Sequence, residues 1–402
     1  MRILVIGSGG REHALVWKLA QSPGVSVYAA PGNPGMARHA TCLPLSEAQA
    51  LRPDLTIVGP EVPLVEGIVD DFRSRGLPIV GPTADAARLE GSKVFAKNFF
   101  VRHHIPTAQF VAAGTPADAL AALDRFGFPV VLKADGLAAG KGVVIVHDRA
   151  EAEAALRTLP GRIVVEEFLT GEEVSFIALC DGRDVVPLAP TQDHKAVFDD
   201  DRGPNTGGMG AYSDSRILSE AQTREVLDRV ILPTVAATGF TGFLYAGLMM
   251  TPAGVRVLEF NVRMGDPETQ PLMHRLASDF VPALAAAAEG RLAGHALEWR
   301  PDPSVCVVLC SGGYPGAYPT GKLISGIEQA EAAGAMVFQA GTRQGANGLE
   351  TAGGRVLGVT ARGQTLRAAI DNAYAAAAHI GFEGMHCRRD IGRKGLKRYN
   401  ES

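Results

Sequence analysis

Two glycine-rich loops and an unusual distribution of lysines are the features of this sequence that could bind phosphate. Only nine of the 39 basic residues are lysine, and five of those nine lie between positions 93 and 195. A chain that otherwise uses arginine is expected to keep lysine where a compact ammonium group is needed. One of the five, Lys141, lies in the loop GLAAGKG at 136–142. These residues suggest a site for a phosphorylated ligand.

The GLAAGKG loop differs from a P-loop in two respects. It has three residues between its first two glycines where a P-loop has four, and Gly142 follows Lys141 where a P-loop has Ser or Thr. The loop also joins two predicted strands, PVVLKA and GVVIV, instead of opening a helix. Such a loop can fold over a triphosphate, with backbone N–H groups and Lys141 facing the ligand. A plain glycine-rich hairpin is the alternative interpretation.

The second glycine loop, GSGG at 7–10, follows the first predicted strand and invites comparison with a dinucleotide-binding turn. The pattern G-x-G-x-x-G would require glycine at position 12, which is Glu12, and the second strand ends in APG without the acidic residue that binds ribose. These departures argue against nicotinamide chemistry. The free N–H groups at a helix start, here at Gly9 and Gly10, can still hold a phosphate or carboxylate. A tight strand–helix turn without a ligand is the alternative.

The sequence EFN at 259–261 is a candidate metal site. Glu259 and Asn261 lie on the same face of a predicted strand, because side chains alternate along a strand with a period of two. Carboxylate and amide oxygens, completed by phosphate oxygens and water, form a Mg²⁺ site. The preceding strand, at 245–248, offers no carboxylate. The metal is therefore expected to bind poorly without a phosphorylated ligand.

Several units are needed to position these residues. Short apolar strands alternate with helices near the N-terminus, which predicts a Rossmann-like parallel-sheet domain at 1–91. The strands PVVLKA, GVVIV, RIVVEEF and EVSFIALCD predict a small, mostly antiparallel lobe at 120–185. A central domain is expected at 92–119 and 186–300, and a C-terminal α/β domain at 301–402. The predicted fold class is α/β, without internal repeats.

Composition excludes several classes of function. A hydrophobic content of 46% and a charged content of 20% indicate a soluble globular protein. The net charge of −4 and the lack of a basic tail argue against nucleic-acid binding. No apolar stretch is long enough to cross a membrane, and the N-terminus lacks a signal-peptide cleavage site. The five scattered cysteines are expected to be reduced thiols, so the sequence predicts a cytoplasmic location.

Longer motifs give a more specific indication. The strings GSGGREHAL, PGNPG, VGPEVPLVEG, LKADGLAAGKGVV, VEEFLTGEEVS, GPNTGGMGAYS, LEFNVRMGDPETQ and GGRVLGVTA follow one another from residue 7 to residue 361, with RRDIG at 388–392. In this order they resemble the glycinamide ribonucleotide synthetases, a family of ATP-grasp ligases. Met264 and Ala352 depart from the residues expected in that family, and neither carries chemistry.

The resemblance implies an ATP-grasp architecture in which 120–185 is a small mobile ATP lobe. The implied reaction converts ATP, glycine and 5-phosphoribosylamine to glycinamide ribonucleotide, ADP and phosphate through a glycyl phosphate, in de novo purine biosynthesis. Mg²⁺ or Mn²⁺ would assist, and a monomer without nucleic-acid or membrane partners is expected. A related ligase acting on a different small carboxylate is one alternative. A non-catalytic nucleotide-binding regulator is another, and it would be expected to lose Glu259, Asn261 or Lys133.

The same resemblance, with the chemistry of phosphoryl transfer, assigns residues to the nucleotide. Lysines would neutralise the transferring phosphoryl group. VEEFL would be the hinge beside adenine, with Glu166 accepting from the adenine amino group, and Glu173 would bind the ribose hydroxyls. Solvated carboxylates at a strand end are the alternative for these glutamates. The expected nucleotide-binding residues are Lys93, Lys133, Gly140, Lys141, Gly142, Glu166, Glu167, Leu169 and Glu173.

Other polar residues are expected to hold the two remaining substrates. Arg263 would make bidentate hydrogen bonds to the glycine carboxylate or its phosphorylated form. Asp193 and Asp266 would bind amines, with surface ion pairing as the alternative interpretation. No His or Cys is needed as a nucleophile. The expected substrate-binding residues are Gly9, Gly10, Asn33, Glu61 for ribose hydroxyls, Asp193, Arg263, Asp266 and Arg355 for the 5′-phosphate. The expected catalytic residues are Lys133, Lys141, Arg263 and Asp266.

Overall fold

The structure is a computed structural model that describes residues 1–137 and 142–400. The N-terminal elements are β1 (Arg2–Gly7), α1 (Gly10–Leu19), β2 (Ser26–Pro31), β3 (Thr41–Cys42), β4 (Leu55–Val58), α2 (Glu61–Val65), α3 (Ile68–Ser74), β5 (Ile79–Val80) and α4 (Ala84–Gly91). The strands form a parallel sheet in the order β3-β2-β1-β4-β5. Apolar runs such as RILVIG are buried on both faces, as is typical where helices cover a parallel sheet. The predicted Rossmann-like sheet is confirmed.

A second, small sheet follows this domain. Its region comprises α5 (Lys93–Arg102), β6 (Phe110–Ala113), α6 (Pro116–Leu123), β7 (Val130–Ala134), β8 (Val143–Val146), α7 (Arg149–Leu156) and β9 (Ile163–Glu167). The small sheet is antiparallel, in the order β6-β9-β7-β8. It has its own apolar core, which includes Leu123, Leu132 and Val165. The prediction that EVSFIALCD is its fourth strand was wrong, because β6 pairs with β9 in that place.

The EVSFIALCD strand belongs instead to a large antiparallel sheet. The strands of the large sheet are β10 (Glu172–Asp181), β11 (Val185–Pro187), β12 (Thr191–Asp193), β15 (Gly210–Ser213), β16 (Thr241–Thr251), β17 (Gly254–Asn261), β18 (Ser304–Cys310), β19 (Met336–Gln339) and β22 (Arg355–Arg362). Their order is β17-β16-β10-β12-β15-β18-β22-β19, with β11 on β10. Eight of the ten residues of β10 are buried, as expected for a strand covered on both faces.

The C-terminal unit continues the large sheet of the central unit. Strand β15 pairs with β18, from Gly210 opposite Val307 to Ser213 opposite Ser304. A Cβ atom at Gly210 would lie 2.7 Å from the carbonyl oxygen of Cys306, so only glycine allows this approach. The remaining elements are β13 (Ala196–Phe198), β14 (Arg202–Asn205), α8 (Glu220–Val226), α9 (Leu232–Thr238), α10 (Thr269–Arg275), α11 (Val281–Ala288), α12 (Ile327–Ala332), β20 (Thr342–Gly345), β21 (Gly348–Thr351), α13 (Leu366–Ala377) and α14 (Arg393–Arg398).

One apolar core joins the N-terminal sheet to the large sheet. It contains Leu4 of β1, Phe176 of β10 and Val305 of β18. The small sheet is packed around a different cluster, so its residues contribute little to that shared core. Across the described residues, the helices are too short or too polar for any of them to span a membrane.

Candidate active site

A cavity of about 480 Å³ lies where the small sheet, the large sheet and the N-terminal domain meet. Most of the residues predicted from the sequence line it, although they come from separate parts of the chain. Gly140 and Lys141 lie outside the described residues, and Gly9, Gly10 and Asn33 do not line the cavity. The predicted residues in its lining are Glu61, Lys93, Lys133, Gly142, Glu166, Glu167, Leu169, Glu173, Asp193, Glu259, Asn261, Arg263, Asp266 and Arg355.

Two lysines share one carboxylate oxygen at the small-sheet side of the cavity. The Nζ atoms of Lys133 and Lys97 lie 3.0 and 3.1 Å from Oε2 of Glu166, and all three side chains are buried. Burial, together with the charge of Lys133, lowers the pKa of Lys97 to about 8, although Glu166 acts in the opposite direction. The other oxygen of Glu166, Oε1, has no hydrogen-bond partner among the described residues. This atom can therefore accept a hydrogen bond from a ligand.

An irregularity in the large sheet supplies a further contact to Lys133. The pairing of β16 with β17 shifts by one residue between Gly247 and Leu248, which leaves Leu258 without a partner across the ladder. The carbonyl oxygen of Leu258 accepts a hydrogen bond from Nζ of Lys133 at 3.0 Å. The bulge thus fixes the ammonium group of a small-sheet strand against the large sheet.

Lys93 stands at the first position of α5. Ser92 caps this helix by accepting a hydrogen bond from the N–H of Phe95 at 3.1 Å. The Lys93 Nζ donates to the carbonyl oxygen of Gly136 at 2.9 Å, at the start of the glycine-rich loop. Burial lowers the pKa of Lys93, while Glu259 partly opposes the shift. An ammonium group in this position adds positive charge beside Lys133.

The segment after β9 forms the end of the cavity. The carboxylate of Glu167 accepts a hydrogen bond from the N–H of Gln109 at 2.8 Å, which ties β9 to the chain before β6. Leu169 follows in the cavity wall. Glu173, at the start of β10, contacts Nζ of Lys195 at 3.1 Å. The hinge predicted from VEEFL therefore borders the same space as the lysines.

Glu259 and Asn261 both face the cavity from β17, on one side of the strand as predicted. Opposite Glu259 lies Gly247, and a Cβ atom there would approach Cγ of Glu259 to 3.3 Å. Burial would raise the pKa of Glu259, but Lys195, Lys133, Lys93 and Arg263 outweigh it, so the pKa lies below its usual value. In the described part of the chain, no group of three His, Cys, Asp or Glu residues is arranged to hold a metal. The pair would need ligand oxygens to complete a coordination shell.

A cluster of buried polar side chains on and beside the large sheet lies next to the cavity. Tyr245 donates a hydrogen bond to Oε1 of Glu268 at 2.8 Å, and Ser175 lies 2.8 Å from the Tyr245 oxygen. Asp193, Tyr245 and Glu268 all line the cavity. Burial and the charges of Glu268, Glu173 and Glu259 raise the pKa of Asp193 to about 7, against the opposing charge of Lys195.

Arg263 connects the large sheet to the N-terminal domain. Its guanidinium group lies 2.8 Å from Glu90 and 3.2 Å from Glu61, and it donates to the amide oxygen of Asn261 at 3.3 Å. Arg11 also contacts Glu61, at 3.3 Å. Burial would raise the pKa of Glu61, but the two arginines lower it to about 2. Glu61 is therefore ionised, and its carboxylate is shared between two domains.

Asp266 and Arg355 lie at the far end of the cavity. Arg355 donates to the carbonyl oxygen of Asp266 at 2.5 Å and lies 3.3 Å from its carboxylate. Burial would raise the pKa of Asp266, but Arg355 and Arg11 keep it below its usual value. A Cβ atom at Gly9 or Gly10 would lie 3.7 or 3.4 Å from the Asp266 carboxylate, so the first glycine loop adjoins this end.

Asn33 has a different environment from the one expected. Its side-chain amide donates to the carbonyl oxygens of Ser8 and Gln339, at 2.9 and 2.8 Å, and its Oδ1 atom accepts from the N–H of Met36. Both amide protons are thus engaged within the protein. Asn33 joins the first glycine loop to the C-terminal unit, and its side chain leaves no donor for a substrate.

Sequence reasoning missed several residues of the site. Lys97 and Lys195 belong to the five lysines between 93 and 195, so the uneven use of lysine already pointed to them. Arg11 and Glu268 lie within the quoted motifs GSGGREHAL and LEFNVRMGDPETQ. Glu90 had no comparable signal, because a glutamate near a helix end is usually exposed.

Comparisons with known proteins identify the family of this chain. Family models described as the N domain, the ATP-grasp (A) domain and the C domain of phosphoribosylglycinamide synthetase match residues 1–90, 91–269 and 304–394. Proteins named phosphoribosylamine–glycine ligase from Escherichia coli O6:H1 and Vibrio cholerae are each 50% identical, over 99% of both chains. A crystal structure of a phosphoribosylamine–glycine ligase from Thermotoga maritima has a TM-score of 0.85 at 35% identity, covering 97% of this chain and all of that one. The chain belongs to the phosphoribosylglycinamide synthetase family.

Proposed function

We propose that this protein uses ATP to ligate glycine to 5-phosphoribosylamine, which yields glycinamide ribonucleotide, ADP and phosphate in purine biosynthesis. The observation that carries the proposal is one cavity lined by the buried Lys133, by the oxygen donors Glu259 and Asn261 on one strand, and by Arg263 and Arg355. Membership of the family supports the choice of substrates.

ATP would lie between the small and large sheets. The Oε1 atom of Glu166, which has no hydrogen-bond partner among the described residues, would accept a hydrogen bond from the adenine amino group, because Lys133 and Lys97 engage the other oxygen. Glu173 would bind the ribose hydroxyls. Lys93 and Lys133 would neutralise the phosphates, and Lys141 is expected to join them from the glycine-rich loop.

Glu259 and Asn261 fit a hard divalent cation, Mg²⁺ or Mn²⁺, because both present oxygen donors from one strand face. When bound, the cation would neutralise charge on the transferring phosphoryl group. The nearby ammonium groups of Lys93 and Lys133 keep the carboxylate of Glu259 ionised, which is the state that binds a cation.

Activation of glycine follows from the chemistry of amides. An amine cannot displace oxide from a carboxylate at neutral pH, whereas it can displace phosphate from an acyl phosphate. Lys133 would stabilise the transferring phosphoryl group, and Arg263 would attract the glycine carboxylate. Tyr314 and Tyr318 of the C-terminal unit line the same cavity and would limit the access of water to glycyl phosphate.

Phosphoribosylamine would enter from the end lined by Glu61, Asp266 and Arg355. Glu61 is ionised and can accept hydrogen bonds from the ribose hydroxyls. The Arg355 guanidinium can bind the 5′-phosphate, and Asp266 can position the attacking amine. We further propose that the protein acts as a cytoplasmic monomer, which light scattering on the purified protein would test for the oligomeric state.

The test of this function is ADP release in the presence of phosphoribosylamine, with glycine compared against formate, bicarbonate and alanine. Of the four carboxylates, only glycine should give ADP release. This release should require phosphoribosylamine as well, and the product should have the mass of glycinamide ribonucleotide. Turnover with formate or bicarbonate and none with glycine would favour a related ligase that acts on another carboxylate.

A further inference from the structure

A second cavity, of about 400 Å³, lies on the C-terminal unit between helices α13 and α14. Among the described residues, none lines both this cavity and the candidate active site. The start of α14 lies close against α13, because a Cβ atom at Gly392 would be only 2.7 Å from Cδ1 of Ile370. The volume falls within the range of small-molecule sites, which is about 300–1,000 Å³. This concave space can therefore hold a small ligand.

Four basic side chains line this second cavity, and they come from three separate places in the chain. They are Arg367 in the first turn of α13, Arg389 before α14, and Arg393 and Lys397 on α14. In the described part of the protein, three of them form no ion pair, and the fourth, Arg393, contacts Asp200 at 3.3 Å. The cavity thus concentrates positive charge in a protein whose net charge is −4.

This grouping of charges is unfavourable unless an anion is bound. Arg393 and Lys397 lie four residues apart on one helix, where like charges repel each other. Arg393 and Lys394 also stand at the start of α14, where the helix dipole disfavours positive charge. Asp390, the only carboxylate among the described lining residues, is already held by Nε and Nη2 of Arg388, at 2.7 Å each. A bound anion would relieve the repulsion that Asp390 leaves in place.

The floor of the second cavity is apolar. Ile370, Ile391 and Leu396 line it and are almost fully buried, whereas the four basic residues are exposed. Inorganic phosphate would leave this floor uncovered, but an apolar or aromatic group attached to a phosphate would cover it. The concave shape favours a small molecule over an extended polyanion such as RNA. Charge and floor together define an amphipathic anion.

We propose that this cavity binds a small phosphate ester whose organic part is apolar or aromatic. The phosphate would lie among the basic side chains, because arginine guanidinium groups match phosphate oxygens in bidentate geometry. The organic part would cover Ile370, Ile391 and Leu396. Binding at this site requires no turnover, so the inference goes beyond the proposed ligase reaction and does not depend on it.

Titration calorimetry with phenyl phosphate tests the site, with Mg²⁺ and ADP present so that the proposed nucleotide site is occupied. The wild type should bind phenyl phosphate at least about tenfold more tightly than inorganic phosphate, because the ring covers the apolar floor. The double variant Arg389→Ala, Lys397→Ala should lose at least about tenfold in affinity, and so should Arg367→Ala on the other helix. The matched control Arg102→Ala, Arg157→Ala removes two exposed arginines outside the cavity and should bind as the wild type does.

The other outcomes each overturn the site. Absence of binding does so, and so does equal affinity in the wild type, the double variant and Arg367→Ala, which would place phenyl phosphate elsewhere, such as beside Arg355. Sulfate that binds as tightly as phenyl phosphate would indicate an adventitious ion only. An RNA oligonucleotide that binds through the same residues, with no binding of phenyl phosphate, would indicate a nucleic-acid surface. The substituted side chains are exposed, so the variants should fold, and thermal melting checks this. Because the titration measures binding, its result stands whether or not glycine supports ADP release.

Discussion

The Nζ atom of Lys133 lies 3.0 Å from Oε2 of Glu166, while Oε1 of the same carboxylate has no hydrogen-bond partner among the described residues. Lys97 binds Oε2 from the other side, at 3.1 Å. The two ammonium groups therefore fix the orientation of a buried carboxylate and leave its Oε1 atom without a partner in the described part of the protein. This arrangement connects a helix, α5, to two strands of the small sheet.

Replacing Lys97 tests the arrangement. Lys97→Met keeps an apolar stem of similar length and leaves Glu166 paired with Lys133 alone. KM for ATP should rise by about tenfold, since Glu166 loses one of the charged contacts that orient it. KM for glycine should not change. A lowered melting temperature with an unchanged KM for ATP would show that Lys97 contributes only to stability.

The metal pair predicts a linkage between cation and nucleotide. Because Glu259 and Asn261 supply only two oxygens, Mg²⁺ should bind tightly only when ATP or ADP is present. Titration calorimetry on the nucleotide-free protein should show no micromolar affinity for Mg²⁺. Glu259→Gln should lower kcat by at least about a hundredfold while nucleotide binding persists. Tight Mg²⁺ binding without nucleotide would contradict this prediction.

The acyl phosphate predicts the fate of one oxygen atom. If glycine is activated by phosphorylation, one carboxylate oxygen must leave with inorganic phosphate when the amine attacks. Glycine labelled with heavy oxygen in its carboxylate should give phosphate carrying one labelled oxygen per turnover, which mass spectrometry detects. Unlabelled phosphate formed together with product would show that ATP activates another group.

The raised pKa of Asp193 predicts a pH dependence. Burial and the neighbouring carboxylates raise this pKa to about 7, and only the ionised form attracts an ammonium group. Since kcat/KM reports ionisations of the free enzyme, kcat/KM for glycine should rise with pH through about 7 and then level off. Asp193→Asn should lose this rise and retain a low kcat/KM. A profile that is flat between pH 6 and 8 in the wild type would be inconsistent with the shift.

The same shift affects the stability of the ligand-free protein. A carboxyl group with a raised pKa in the folded state stabilises the fold while it is protonated. That contribution is complete below the unfolded-state pKa, near 3.8, and is lost as the pH rises through about 7. Between pH 5.5 and 8, the free energy of unfolding should therefore fall more in the wild type than in Asp193→Asn. Urea unfolding at both pH values measures the difference.

Arg388 should be essential for stability. Its fully buried guanidinium lies 2.7 Å from Asp390 and 3.0 Å from Asp201, and it donates to the carbonyl oxygen of Ala196 at 3.1 Å. Arg388→Ala leaves Asp390 without its cation, whereas Asp201 keeps its contact with Lys394 at 2.7 Å, and the change should cost about 3–5 kcal/mol of stability, measured by urea unfolding. Arg389→Ala removes an exposed neighbour and should cost at most about 0.5 kcal/mol. Equal effects of the two variants would contradict the assigned role.

The fold was predictable where a local pattern carries the information. Alternating apolar strands and helices in the first 91 residues predicted the parallel sheet, and the motif EFN predicted that Glu259 and Asn261 face one way. The partner of EVSFIALCD was not predictable in the same manner. A buried strand has an apolar pattern in either sheet, so its neighbour depends on which edge is available.

By itself, the sequence determined the family and the class of chemistry, and most of the residues predicted from it line the cavity, because motifs and side-chain periodicity are local properties. Only the tertiary structure decided how those residues are paired. Arg263 contacts Glu61 across 202 positions of the chain, and Lys133 finds the carbonyl oxygen of Leu258 only because β17 bulges there. Lys195 likewise forms its ion pair with Glu173, at the start of β10, and not with Asp193, two residues away in the chain. These pairings follow from the packing of distant segments. A buried charge without a partner is costly, so each buried charge pairs with an oppositely charged or polar group that the fold brings close to it.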